Sequence, residues 1–188
     1  MKKNIFIAML FFSVATYAQT WKNDKDHSRL SFEVTHLMIS TVTGSINTFQ
    51  CTITSSKADF SDAVFELTAE AGSIDTKVPE RDTQLKSPDF FDVAKYPLIT
   101  FKSSSIKKIV KNKYMLTGNL TMHGITRMVT ADFIYKGQVI NPATKNTTAG
   151  FQVTAILKRS DYKLGMSFPV EIIKDQVLVV ADGEFIRQ

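Results

Sequence analysis

Disulfide-forming cysteine pairs and long hydrophobic runs are both absent from this sequence. Its 188 residues include a single cysteine, Cys51, so no intramolecular disulfide can form. No apolar run reaches the roughly 20 residues that a membrane-spanning helix needs, so we expect no transmembrane segment. Eight glycines and five prolines are too few for a collagen-like or low-complexity chain. A hydrophobic fraction of 44% predicts one globular domain that is held by packing alone.

The N-terminus is typical of a secretory leader. Lys2 and Lys3 precede an apolar run over residues 5–14, and small residues follow as far as Ala18. This order predicts a signal peptide over residues 1–18 and a mature domain over residues 19–188. We therefore expect an exported, soluble protein that resides in the periplasm or outside the cell.

The charge balance argues against a nucleic-acid partner. Two of the 23 basic residues lie in the leader, which leaves 21 against 18 acidic residues, a formal charge of +3. The densest basic stretch, residues 107–113, surrounds a predicted turn and is interpreted as a solvated hairpin tip. A nucleic-acid surface needs a larger basic patch, so we expect no such ligand. A homodimer is compatible with the sequence, which does not determine the oligomeric state.

Apolar and polar residues alternate along most of the chain from residue 30 onward. The alternation is clear over residues 30–36, 65–71, 114–122, 129–135 and 151–157, and a nearly continuous apolar stretch begins at residue 176. Turn signals separate these segments at residues 111–113, 123–124, 141–147 and 174–175. Period two is the pattern of half-buried strands. The sequence therefore predicts an all-β fold, and a closed antiparallel barrel of about eight strands is favoured over a sandwich because closure removes exposed edges.

One segment, residues 79–96, breaks the β pattern. Its prolines and its spacing of apolar residues predict one or two short helical turns, which Asp82, Ser87 or Asp89 would cap. Arg81 lies in this segment, and Arg159 lies near the end of a predicted strand. Each arginine either pairs with a carboxylate that fixes the helical turn to the barrel, or meets an anionic or carbonyl head group at the mouth of a cavity.

Histidines are few, and motifs of catalysis are missing. The sequence has no Gly-rich phosphate loop, nucleophile elbow or Cys-x-x-Cys pair, so we expect a binding protein with no catalytic residues and no cofactor. His27, His36 and His123 would form an open zinc site only if the fold brought them together; otherwise each binds backbone at a turn or strand end. His36 alternates with Phe32 and is predicted to face the apolar side, where it needs a polar partner or a ligand group. We interpret Cys51 as a small buried residue on a strand.

Small residues interrupt the aromatic ones on the predicted inward faces. Eleven of the 14 phenylalanines lie beyond residue 18, and the small residues among them are Ala69, Ala71, Gly118, Ala131 and Ala155. A barrel of eight strands either fills with side chains or holds one slender ligand. The pattern leaves both a ligand cavity and a dry core open.

Spaced motifs follow one another along the whole chain. They include Trp21-x-x-Asp24-x-x-His27-Ser28, Arg81-Asp82-x-x-Leu85-x-Ser87, Tyr96-Pro97-x-x-Thr100-Phe101, Gly118-x-Leu120-Thr121-x-His123-Gly124 and Arg159-x-Asp161. Together they resemble the YceI-like polyisoprenoid-binding family from about Trp21 to Phe185. Lys174-Asp175, where the family commonly has Gly-Asp, is a departure that we expect to alter the end of a binding tunnel.

The resemblance implies a single lipocalin-like barrel whose apolar tunnel holds a polyisoprenoid lipid or an isoprenoid quinone, in a carrier, reservoir or stress-related role. Its binding residues would be Phe32, Val34, Phe65, Leu67, Phe91, Phe101, Leu116, Leu120, Phe133 and Phe151, with His36, Arg81 and Arg159 at the head group or bracing the entrance. Two alternatives stay open. One is a metal-dependent or lipid-processing enzyme that uses His36 and His123 in the same cavity, and the other is a dry structural or interaction module of the cell envelope.

Overall fold

The computed structural model describes residues 18–188, so nearly all of the predicted signal peptide lies outside the described residues. Within that range the chain forms ten strands, one α-helix and two 3-10 turns. The elements are β1 (Gln19–His36), β2 (Ser40–Ile46), β3 (Phe49–Ser55), β4 (Val64–Glu70), a 3-10 turn (Ala71–Ser73), β5 (Ile74–Asp75), α1 (Pro79–Lys86), β6 (Leu98–Val110), β7 (Lys113–Met122), β8 (Ile125–Ile140), β9 (Thr147–Lys158), a 3-10 turn (Arg159–Tyr162) and β10 (Ile173–Arg187).

Antiparallel strands close into a barrel with eight strand positions. Neighbours pair in the order β10-β9-β8-β7-β6-β4-β3-β1, and β1 also pairs with β10, which completes the ring. Both β2 and β3 pair with β1, at its two ends, so together they occupy one position. The short β5 pairs with β2, as β4 pairs with β3, so β4 and β5 together also occupy one strand position. The predicted antiparallel barrel of about eight strands is confirmed.

A β-bulge explains why apolar and polar residues alternate only in the second half of β1. The register of β1 against β10 shifts between Asn23 and Ser28, so the residues between them leave the ladder and interrupt the alternation. Gly183 lies opposite the bulge. A Cβ at Gly183 would overlap the side chain of Ser28, so this glycine permits the close approach of the two strands.

Three of the four predicted turns connect strands. They lie at residues 111–112, 123–124 and 141–146. The turn predicted at residues 174–175 is wrong, because both residues belong to β10. The carboxylate of Asp175 accepts hydrogen bonds from the backbone N–H and the hydroxyl of Ser160, at 2.9 and 3.0 Å. Asp175 therefore ties the start of β10 to the preceding 3-10 turn.

The predicted break in the β pattern contains α1, as expected. Pro79 occupies the first helical turn, where its missing N–H costs no hydrogen bond. The predicted side-chain cap is wrong at the start of the helix, because the N-cap residue is Val78 and makes no capping bond. Asp82 instead accepts hydrogen bonds from Thr76, and Ser87 lies at the C-cap. No helical segment in residues 18–188 has the length and apolar character needed to cross a membrane.

Aromatic side chains fill the end of the barrel that lies opposite α1. Phe60, from the loop between β3 and β4, is 1% exposed. Its ring packs against Trp21, Tyr135 and Phe151 with centroid separations of 5.4, 4.8 and 4.8 Å. This cluster closes one end of the barrel.

Candidate functional site

An apolar cavity of about 310 Å³, the outer cavity, lies at the α1 end of the barrel. Its wall is built from residues of β1, β2, β4, β6, β7, β9 and β10, together with α1, the segment that follows it and the connection between β9 and β10. The polar side chains on this wall are few, and they are Ser31, His36, Arg81, Gln84, Lys158 and Arg159. A mostly apolar hollow with a few polar groups near one end is typical of a site for an apolar ligand with a polar head.

A second cavity of about 120 Å³, the inner cavity, lies deeper in the barrel. Its lining includes small residues that the sequence pattern placed inward, such as Ala131 and Ala155, which leave space between the larger side chains. Five residues line both cavities, namely Leu30, Leu67, Leu120, Leu157 and Val179. The two cavities therefore adjoin and form one tunnel, which runs from the α1 end towards the aromatic cluster around Phe60.

Cys51 lies on β3 and lines the inner cavity. Burial raises the pKa of its thiol to about 12. The side chain is nevertheless only half-buried by surface area, because part of its surface faces the cavity rather than the bulk solvent. Its thiol is thus neutral at physiological pH, as suits an apolar wall residue.

His36 ends β1 and lines the outer cavity, half-buried, on the apolar side as predicted. Among the described residues no hydrogen bond to its ring is formed. The polar partner that we expected is therefore not supplied by residues 18–188, and the ring is available to a ligand group.

Arg81 lies on α1 and lines the outer cavity. Its Nε donates to the hydroxyl of Thr76 at 2.8 Å, and its Nη2 donates to the Thr76 carbonyl at 3.0 Å. The expected carboxylate partner is wrong, since no salt bridge of Arg81 occurs within residues 18–188. Its Nη1 makes no hydrogen bond to the described residues, so Arg81 both braces the segment before α1 and offers a donor to the cavity.

Arg159 is 7% exposed and binds backbone carbonyls rather than the carboxylate that we expected. Its Nη1 donates to the carbonyls of Leu164 and Gly165 at 3.0 and 2.7 Å. Its Nη2 donates to those of Phe168 and Ile173 at 2.6 and 2.9 Å, and Nε also donates to Ile173 at 3.2 Å. The connection between β9 and β10 turns its carbonyls inward, and these supply the acceptors. Arg159 therefore braces this side of the cavity mouth.

The fold does not bring the three histidines together. Nδ1 of His123 lies 2.9 Å from the carbonyl of Tyr162, and its ring packs edge-on against Tyr96. His27 is exposed and lies on the bulged part of β1. A zinc site of three histidines is therefore wrong, and the alternative in which His123 binds backbone at a turn is confirmed.

One group of three ligand-type side chains occurs within residues 18–188. Ligand atoms of Asp24, His27 and Glu184 all lie within 4.8 Å of one another. The hydrogen bond between Asp24 and His27 lowers the pKa of the aspartate and raises that of the histidine. The three residues line neither cavity, and their contacts are those of an ordinary exposed ion pair.

Twelve of the 13 predicted binding residues line the tunnel. Those on the outer cavity are Phe32, Val34, His36, Leu67, Arg81, Phe91, Leu120 and Arg159; those on the inner cavity are Phe65, Leu67, Phe101, Leu116, Leu120 and Phe151. Phe133 lines neither cavity, because its ring is fully buried against Phe65, Tyr114 and Phe151 at centroid separations of 4.9, 5.3 and 5.7 Å. Phe133 belongs to the packed core beside the tunnel.

Sequence reasoning missed several residues of the outer cavity. Val42 and Ile46 alternate with threonine and serine on β2, so period two could have revealed them. Phe168 and Ile172 lie in the irregular connection between β9 and β10, where no period applies. Their position on the cavity wall depends on the bracing by Arg159 and is therefore a property of the tertiary structure.

Comparison with known proteins agrees with this geometry. A family model described as a YceI-like domain matches residues 21–185. The chain belongs to the YceI-like family. Protein YceI of Salmonella agona is 34% identical to this YceI-like chain over 170 residues, which cover 87% of the chain and 88% of the relative.

Solved structures share the YceI-like barrel. The crystal structure of BcnA from Burkholderia cenocepacia has a TM-score of 0.78 at 24% identity and covers 86% of this chain and 98% of its own. A domain from Saccharophagus degradans, described as polyisoprenoid binding and implicated in plant cell wall breakdown, has a TM-score of 0.69 at 14% identity and covers 92% of this chain and all of its own. At 24% and 14% identity, these similarities show a shared fold.

Proposed function

We propose that this YceI-like chain is an exported binding protein that holds a polyisoprenoid lipid or an isoprenoid quinone in its tunnel. The observation that carries this proposal is the pair of adjoining apolar cavities, of about 310 and 120 Å³, inside a closed barrel. The likeness in fold to a domain described as polyisoprenoid binding supports it. A tunnel that is closed at one end by aromatic packing suits a slender chain that enters from the α1 end.

Burial of the hydrocarbon would supply the binding energy. Each CH₂ group removed from water contributes about 0.8 kcal/mol. About 15 enclosed carbons would gain roughly 12 kcal/mol before the entropy costs of association, which range from about 4 to 15 kcal/mol. At the low end of these costs about 8 kcal/mol remains, so a partly enclosed prenyl chain is expected to bind at up to about micromolar strength.

The polar groups of the outer cavity would receive the head group. His36 can donate or accept a hydrogen bond, which suits the carbonyl of a quinone. Nη1 of Arg81 carries a charged donor, which suits a phosphate or a carbonyl. Both head groups fit this pair of residues, so the proposal keeps both ligand classes.

A binding role is favoured over an enzymatic one by the placement of the histidines. The enzyme alternative uses His36 and His123 together in the cavity, whereas only His36 lines it. The hollow interior likewise favours a ligand-binding barrel over a dry structural module. In this proposal the apolar wall of the two cavities binds the ligand, and no residue has a catalytic role.

Native mass spectrometry of the protein, purified without detergent from its own host, tests this proposal. We expect a mass that begins at Gln19, which would establish export, together with a co-purifying prenyl species that organic extraction releases. A bare protein mass, and no thermal shift when prenyl alcohols, prenyl phosphates or quinones are added, would overturn the proposed function.

The Ala155→Leu substitution tests the inner cavity. Leucine at this position would fill part of the inner cavity while the outer cavity stays open. We expect about a tenfold weaker affinity for long prenyl alcohols and an unchanged affinity for short ones, measured by isothermal titration calorimetry. Thr154→Leu is the matched control, because Thr154 is on the opposite face of β9. Equal losses for short and long chains in Ala155→Leu would contradict a tunnel that holds the chain in its inner part.

A further inference from the structure

The turn between β1 and β2 presents three exposed apolar side chains at the mouth of the outer cavity. Leu37, Met38 and Ile39 are 46%, 58% and 86% exposed. They directly follow His36, a residue of the cavity wall. The Leu37 N–H also donates to the carbonyl of Ile172, another wall residue, at 2.9 Å. These three residues, the apolar tip, therefore form part of the rim of the tunnel.

The backbone of the apolar tip is strained. Leu37 and Met38 have φ angles of 50° and 58°, and the Ile39 N–H closes the turn onto the His36 carbonyl at 3.2 Å. Two successive positive φ angles are typical of a type I′ turn, in which asparagine and glycine are preferred. The same chain places Asn112 and Gly124 at positive φ in two other hairpin turns. At the apolar tip the fold thus tolerates both backbone strain and exposure of large apolar groups, a combination that points to function.

The rim beside the apolar tip is also apolar. Met166 and Val170 are 60% and 52% exposed, and they flank Phe168, which lines the outer cavity. Residues 164–170 contain no Asp, Glu, Lys or Arg, and residues 35–46 contain none either. The exposed Lys163 and Glu171 directly flank residues 164–170. The two parts of the rim therefore carry fewer charged side chains than usually surround the apolar centre of a protein–protein interface.

We propose that the apolar tip and residues 166–170 form a docking surface that inserts into the lipid bilayer from which the outer cavity takes its ligand. This inference rests on the proposed function, because an isoprenoid ligand is itself dissolved in the bilayer. The two apolar segments complement the acyl chains, and Lys163 and Glu171 at their border would lie at the level of the lipid head groups. The tunnel mouth beside these segments would face the membrane. The ligand would then pass into the barrel without crossing water.

Flotation with neutral phosphatidylcholine vesicles tests the docking surface. Ile39→Thr removes apolar surface without changing a residue at positive φ, and the double variant L37N/M38G removes more while it suits the turn geometry. The matched control is V139T/I140T, because Val139 and Ile140 are 65% and 69% exposed at the opposite end of the barrel. All variants carry the same N-terminus as the wild type, so any contribution of the leader cancels.

We expect the wild-type protein to float with the vesicles. The partition coefficient should fall about threefold in Ile39→Thr and at least tenfold in L37N/M38G, and it should stay within twofold of the wild type in V139T/I140T. Three results would overturn the inference: no flotation of the wild type, an equal loss in V139T/I140T, or a dimer in analytical ultracentrifugation that only the tip variants dissociate.

Binding of farnesol in solution separates this inference from the proposed function. Farnesol needs no membrane to reach the cavity, so its affinity should be unchanged in the tip variants. Binding of farnesol without flotation would overturn the docking surface alone. Flotation without any binding of prenyl ligands would overturn the proposed function, and with it the inference that the membrane supplies such a ligand.

Discussion

At the scale of single residues, one buried cation holds the connection that forms part of the cavity mouth. Arg159 makes five hydrogen bonds to four carbonyls, and lysine could satisfy only some of them because it has three donors and no planar fork. We expect Arg159→Lys to lower the free energy of unfolding by about 2–3 kcal/mol, since buried carbonyls would lose their partners. Urea denaturation at pH 7 measures this change.

Arg127→Lys is the matched control for that prediction. Arg127 is exposed and makes a single bond, at 3.3 Å, to the carbonyl of Asp161. Its replacement should change the free energy of unfolding by less than about 0.5 kcal/mol. Equal effects of the two substitutions would show that the carbonyl cluster does not depend on Arg159.

The Cys51 thiol gives the stability of the protein a dependence on alkaline pH. Burial raises the pKa of the thiol in the native protein to about 12, from an ordinary value of 9.0 in the unfolded chain. Between these two values the unfolded state loses a proton that the native state keeps, so stability falls as the pH rises. The loss is at most about 1.4 kcal/mol per pH unit.

Comparison with Cys51→Ala isolates this contribution. The free energy of unfolding of the wild type minus that of the variant should fall as the pH rises from 9 to 11. Burial also raises the pKa of Tyr162 to about 12, but this contribution is common to both proteins and cancels. Parallel stability curves in urea denaturation at pH 8–11 would contradict a buried, neutral thiol.

At the scale of elements, α1 is held over the cavity by polar contacts rather than by burial. None of its residues is buried, although Arg81 and Leu85 reach the cavity wall. Thr76, which is 5% exposed, connects the helix to the barrel: its hydroxyl donates to Asp82 at 2.6 Å and accepts from Arg81 at 2.8 Å. The Thr76 hydroxyl therefore supplies two of the four hydrogen bonds between this residue and α1.

Replacement of Thr76 by valine keeps the shape of the side chain and removes this hydroxyl. We expect faster amide hydrogen exchange in α1 and faster dissociation of a bound prenyl ligand, while the rest of the barrel keeps its protection. Thr83→Val is the control on the same helix, because the hydroxyl of Thr83 bonds only within α1. Uniform loss of protection across the barrel would show that Thr76 supports the fold as a whole instead of the helix.

At the scale of the whole molecule, the tunnel couples stability to ligand binding. A ligand that binds only the native state stabilises it by about 2.7 kcal/mol at 100 times its dissociation constant. We expect the melting temperature of the wild type to rise with the concentration of a prenyl alcohol. Ala155→Leu should melt at a higher temperature than the wild type without ligand, because it fills space, and should show a smaller rise with a long-chain ligand. A larger rise in the variant, measured by calorimetry, would contradict the tunnel as the binding site.

The sequence predicts one part of the binding site and not another. Alternation placed Phe32, Leu67 and Phe101 on the inward face, and each lines the tunnel. It could not show that Phe133 packs among other rings, because period two gives the face of a residue but not its depth along the barrel. Alternation also could not predict the hydrogen-bond partners of Arg159, because these carbonyls come mainly from an irregular connection with no repeating pattern.

The sequence by itself determined the strand pattern, most of the turns, the break at α1 and the family, because these depend on residues close together in the chain or on spaced motifs. Only the tertiary structure decided whether the barrel is hollow. The size of a cavity depends on side chains that several strands bring together from distant parts of the sequence, and one small residue such as Ala155 opens space only where its neighbours do not fill it. The bulge in β1 and the strained apolar tip were also decided only by the tertiary structure, since neither follows from a repeating pattern in the sequence.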